Sequence, residues 1–168
     1  MKYERMTSEE MLLYVKRMDE NELKLKDARS RILQEIKEMQ QRKEILSWDD
    51  IASAIAYPKA MSDKEHVSGG TPDEFKLLHQ AERINRIFIS QMEELFEELE
   101  RTELQLTQHK YINRCISRLE KEDREIIDQF VRKDMTFEKG MTEFHMARST
   151  LYKLQKKAIE NLTVIYNE

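Results

Sequence analysis

The chain has 168 residues, of which 37% are charged and 39% apolar, and a net charge of −4. That balance excludes a thick globular core and suits long, solvent-washed helices, as do only three Gly and two Pro, the residues that break helices. A lone cysteine, Cys115, excludes an internal disulfide and points to a reducing, cytoplasmic setting, and no segment approaches membrane length.

Thr7 or Ser8 caps a first helix, with Glu9 and Glu10 at the positive end of its dipole. No Gly or Pro then interrupts the chain before Leu46. Met11, Met18, Leu25, Ile32, Met39 and Leu46 recur every seven residues, and Tyr14, Val15, Ala28 and Ile36 thicken the stripe. Asn21, Glu35 and Arg42 interrupt its second row. A heptad pattern of this kind predicts one long helix packed along another. Residues 47–71 form a connector. Within it, Ser47-Trp48-Asp49-Asp50 starts a short helix, Tyr57-Pro58 stops it, and a polar loop ends at Gly69-Gly70. Trp48 is expected to pin this connector onto the helices. Thr71-Pro72-Asp73-Glu74 starts a second long helix, with a capping hydroxyl, then Pro, then acids. Its stripe is Ile84, Phe88, Met92, Leu95, Leu99 and Leu106, with Thr102 on the same line. Its outer face is acidic, with Glu93, Glu94, Glu97, Glu98, Glu100 and Glu103, and it is expected to run towards Gln108. Two helices of matched length joined by one loop predict an antiparallel hairpin over residues 1–108.

A second domain is expected over residues 109–168. Tyr111, Ile112, Cys115, Ile116 and Leu119 begin a third apolar pattern, either a new helix or a continuation of the second. Leu119 to Glu125 turns into a helix that buries Ile126, Ile127, Phe130 and Val131. Thr136 caps a short helix with Phe137 and Phe144 on one face. A further helix, at about 148–162, carries Leu151, Leu154, Ala158, Ile159 and Leu162 on one side. Its other side shows Arg148, Lys153, Lys156 and Lys157 against one acid, Glu160. A short helix, a tight turn and a basic amphipathic helix make the pattern of a helix-turn-helix. No run alternates with period two, so no strand is expected. The expected fold class is all-α, a long coiled-coil-like antiparallel hairpin followed by a small helix-turn-helix domain.

The net charge conceals a local excess. Residues 110–168 hold twelve Lys or Arg against ten Asp or Glu, whereas residues 1–109 hold 17 against 23. Between Arg148 and Glu160 there are four cations and one acid, so the positive charge sits on the basic helix. Read as a recognition helix, it places Arg148, Ser149, Thr150 and Lys153 at base edges or nearby phosphates. Arg148 has the fork to hold guanine with two bonds, and Ser149 and Thr150 bond to bases or phosphates. Tyr152, Lys156 and Lys157 lie where backbone contacts are expected. The expected partner is double-stranded DNA. No Gly-rich phosphate loop, nucleophile elbow or Cys–His zinc spacing is present, and His66, His79, His109 and His145 are scattered. No enzyme activity, cofactor or metal is therefore expected.

Ile116 to Ile127, followed by Phe130, resembles the lead-in of region four of bacterial sigma factors. Thr136 to Leu162 resembles the helix-turn-helix of that region, including Thr150-Leu151 and Lys157-Ala158-Ile159. The whole chain is similar to phage late-gene transcription activators of the RinA and ArpU type. Those proteins place a helical part and a loop resembling Val67-Ser68-Gly69-Gly70 before a sigma-like domain. The resemblance implies a transcription regulator that binds DNA and contacts RNA polymerase. The sequence departs from the pattern at the turn. The place of the usual small residue falls at Met141, after Gly140, and His145 and Ala147 stand where Gly and a capping Ser are usual. Ala147 cannot cap, so Ser149 is expected to do so and to shorten the helix. A second reading stays open: a helical interaction protein, dimerising or binding a partner through the hairpin, whose basic helix does not read DNA. Sequence-specific, salt-sensitive DNA binding separates the two.

Overall fold

The computed structural model describes residues 3–45 and 72–168, and all regular structure among them is helical. There are six helices among the described residues: α1 (Ser8–Lys16), α2 (Met18–Ile45), α3 (Pro72–Arg118), α4 (Lys121–Ile126), α5 (Phe137–Phe144) and α6 (Arg148–Asn167). From α4 the chain passes directly into a wider π-helical stretch, Ile127–Val131. The expected connector at 47–71, Trp48 included, and the last heptad position, Leu46, lie outside the described residues.

α1 opens on Thr7 with reciprocal capping bonds. The Glu10 amide donates to Thr7 Oγ1 at 3.3 Å, and the Thr7 amide donates to Glu10 Oε2 at 2.8 Å. Those bonds hold the Glu10 carboxyl below its ordinary pKa. One unbroken helix was the expectation here, but the chain breaks at Arg17, which sits at φ −103 and ψ 2. No helix-breaking residue marks the spot. Ion pairs flank it instead, Lys16 with Asp134 at 2.9 Å and Arg132 with Asp19 at 2.7 Å. The break accompanies complete burial of Met11, Val15 and Met18.

Contacts divide the chain into two units, residues 1–28 with 102–168, and residues 29–101. The division expected at 108/109 is thus replaced, because α1 belongs with the C-terminal helices. Its Met11 and Val15, with Met18 of α2, share a core with Ile112, Cys115 and Ile116 of α3 and with Leu151, Ala158, Ile159 and Leu162 of α6. Ile126, Ile127, Phe130 and Val131 are buried there, as their spacing predicts. α3 continues unbroken through Tyr111 to Arg118 and so overruns the expected end at Gln108. Asn167 closes the unit by exchanging hydrogen bonds with the Met6 backbone, at 3.0 and 2.9 Å. Buried Asp123 accepts a bond from Asn161 Nδ2 at 2.6 Å, which ties α4 to α6.

In the other unit Ile32, Ile36 and Ala81 are buried, while Met39, Phe88, Met92, Leu95 and Leu99 are half-buried. Arg31 of α2 donates to Glu98 of α3 at 3.0 Å. Ile84, expected in the α3 stripe, is 56% exposed instead. The stripe is centred on the line through Ala81, Phe88 and Leu95, so Ile84 falls at its edge.

The larger unit buries one histidine. His109 packs its ring 5.1 Å from Tyr14, and its Nδ1 has no hydrogen-bond partner among the described residues. Burial pushes its pKa below the ordinary value, opposed by the Glu22 charge and reinforced by Arg132. As pH falls through the unfolded value of about 6.5, the unfolded chain takes up a proton that the folded chain refuses. Stability should therefore fall with pH below that point. Thermal melts from about pH 7.5 to 5.5 should show a steeper loss in the parent than in His109→Leu. Parallel curves would remove His109 from the account.

Candidate nucleic-acid interface

Thr136 starts α5, its hydroxyl accepting from the Lys139 amide at 3.5 Å. The expected apolar face is present, since Phe137 and Phe144 both lean on Phe130, with ring centroids 5.2 and 6.5 Å away. Gly140 on the same face is buried. A Cβ placed on it would stand 2.7 Å from both Leu151 Cδ2 and Phe130 Cε2. Only glycine permits so close an approach of α5 to the start of α6. Met141, expected at the small-residue position, is partly exposed. The small residue that the packing uses is Gly140, one position earlier.

The turn is built from His145, Met146 and Ala147. His145 takes a left-handed conformation, φ 51 and ψ 40, and its amide donates to the Met141 carbonyl. Helices commonly end with Gly in this role, and His enters the region more readily than most residues. Ala147 is the extended residue before α6 and offers no side-chain bond. Its carbonyl accepts from the Thr150 and Leu151 amides, both at 3.0 Å. Ser149 therefore does not cap the helix, contrary to expectation. It lies inside α6, which begins at Arg148 and runs to Asn167, beyond the expected end at Leu162.

Every sequence-predicted contact residue is exposed on α6: Arg148, Ser149, Thr150, Tyr152, Lys153, Lys156 and Lys157. Leu151, Gln155, Ala158, Ile159 and Leu162 are buried on its other side. Lys156 pairs with Glu160 at 3.9 Å. Lys153 and Lys157 have no ion partner among the described residues. Arg148 places its guanidinium carbon 5.4 Å from the centre of the Phe137 ring, and Tyr152 stands 6.4 Å from the same ring. Phe137 thus links two predicted residues as well as joining the core. Sequence reasoning saw only its core role, because helical spacing says nothing about contacts across a turn.

No family model, curated protein or solved structure matches this chain. The likeness to sigma region four rests on the residues quoted above. Among the described residues no cluster of three or more His, Cys, Asp or Glu could hold a metal ion, and no helix is long and apolar enough to cross a membrane. What the surface offers is a row of hydrogen-bond donors: one guanidinium, three ammonium groups, three hydroxyls and the uncapped first amides of α6. Such a set suits phosphate oxygens and the acceptor-rich edge of guanine.

Proposed function

We propose that this chain is a DNA-binding transcription regulator, of phage or prophage origin, in which α5 and α6 form a helix-turn-helix. In this reading α6 enters the major groove, and α2 and α3 form the preceding helical hairpin. The carrying observation is the close packing of α5 on α6 at Gly140, combined with the exposure of all seven predicted contact residues of α6. Arg148, Ser149, Thr150 and Lys153 lie at the N-terminal end, the part of a recognition helix that reaches base edges. Tyr152, Lys156 and Lys157 then hold the backbone. RNA polymerase is a further partner, as the resemblance to region four implies. The rival reading, an interaction protein, is favoured by Ile84, Ile87, Ile89 and Phe96, all of which keep about half their surface exposed.

The test is a fluorescence-anisotropy titration at two salt concentrations, with tiled duplexes from the DNA flanking the chain's own gene. A scrambled duplex serves as control. One tile should bind tightly, and four to six phosphate contacts would give a log–log salt slope of roughly −4 to −5. Equal, weak binding to every tile would leave only a basic helix and the rival reading.

A further inference from the structure

Arg148, the first residue of α6, lines a surface cleft of about 340 Å³ that lies wholly within the unit of residues 1–28 and 102–168. Gln155, two turns further along α6, lines the same cleft and is only 8% exposed. A side-chain amide buried so deeply ordinarily finds a hydrogen-bond partner. Gln155 has none among the described residues. Its amide atoms are not sealed into the core either, so the amide opens onto the cleft that it lines.

Four charged side chains share the lining. Lys16 and Asp134 neutralise each other at 2.9 Å. Arg148 and Glu138 remain, and neither has an ion partner among the described residues, each other included. The cleft therefore offers one free guanidinium, one free carboxylate and one idle amide. Phe137 and Met135, both half-buried, add apolar surface to the same lining. An apolar wall with a few convergent polar groups is the make-up of a small-molecule site. The charges also select the ligand. A simple anion would meet the carboxylates of Glu138 and Asp134, and a simple cation would meet Arg148 and Lys16. A ligand that carries both charges satisfies Arg148 and Glu138 together. The guanidinium fork matches a carboxylate, a carboxylate accepts from an ammonium, and an amide serves either.

We propose that this cleft binds a free apolar α-amino acid. Arg148 holds the α-carboxylate, Glu138 accepts from the α-ammonium, and Gln155 bonds to the same polar end. The apolar side chain lies against Phe137 and Met135. Arg148 also belongs to the proposed DNA-binding face, but this site stands independently of that reading.

Calorimetric titration of the full chain with L-leucine, in the absence of DNA, tests it. One leucine should bind per chain. Leucinamide lacks the carboxylate and isocaproate lacks the ammonium, so each should bind about tenfold more weakly or worse. Arg148→Ala and Glu138→Gln should each weaken leucine binding by a similar factor, as should Gln155→Leu. The first two change exposed residues and leave the core alone, so they decide the matter even where Gln155→Leu disturbs packing. Circular dichroism should show the parent helix content in both. A parent that takes up no leucine overturns the proposal. So does leucine binding that survives both Arg148→Ala and Glu138→Gln, or analogues that bind as tightly as leucine.

Discussion

If α6 reads DNA as proposed, the double variant Arg148→Ala, Lys153→Ala is expected to lose about a hundredfold in affinity for the bound duplex while unfolding as the parent does. A bidentate arginine–guanine contact discriminates by about 1–3 kcal/mol, and each 1.4 kcal/mol is tenfold. On the proposed reading, losing Arg148 alone therefore accounts for one to two decades, and Lys153 supplies a further phosphate or base contact. Neither residue is part of the core. Arg148 rests on the Phe137 ring, and an exposed contact of that kind contributes about 0.5–1 kcal/mol. The thermal midpoint should accordingly move little. Single variants separate the roles. Arg148→Lys keeps the charge but loses the planar fork, so it should relax sequence preference while largely preserving the salt slope. Lys153→Ala at a phosphate should weaken binding to all duplexes alike and reduce the slope by about 1. A folded double variant with unchanged operator affinity would end the assignment of α6 as the reading helix.

The all-helical class was legible because the signals are local. Thr7 with Glu10, Thr136 before Phe137, and Pro72 after a hydroxyl each mark a helix start through chemistry within a few residues. The exposed face of α6 was legible for the same reason, since its apolar residues return every three or four positions. What the sequence hid is long-range. The Met11, Val15 and Met18 stripe is visible, but nothing in it says that Ile112 and Leu162 complete the core. Periodicity names the face that is buried and leaves its partner open. The break at Arg17 was hidden because its neighbours are held by Asp134 and Arg132, more than a hundred residues away in the chain. At the turn, register decided the outcome. A family pattern laid on the sequence put the small residue at Met141, whereas the packing selects Gly140 because Leu151 and Phe130 converge there.

That convergence makes Gly140→Val the substitution expected to damage the fold most. On an exposed helix, replacing Gly by Ala would stabilise by about 1 kcal/mol. Here the added Cβ arrives 2.7 Å from Leu151 Cδ2 and within 2.9 Å of two Phe130 ring atoms. Leu151 is fully buried and Phe130 nearly so, so neither has empty solvent to move into. Phe130 is also clasped edge-on by Phe137 and Phe144. Overpacking of this kind costs about 1–3 kcal/mol, so Gly140→Ala should come out neutral to about 2 kcal/mol destabilised. Valine adds two methyl groups and a stiff χ1, which should raise the loss to about 3 kcal/mol. A shift in the urea midpoint at constant slope would measure it. The overlap is relieved by rotating the Leu151 and Phe130 side chains or by moving α5 away from α6, and the second carries Phe137 from beneath Arg148. Gly140→Ala should then weaken DNA binding even in samples that stay folded. A Gly140→Ala protein about 1 kcal/mol more stable than the parent, with unchanged affinity, would mean that the two helices do not approach this closely.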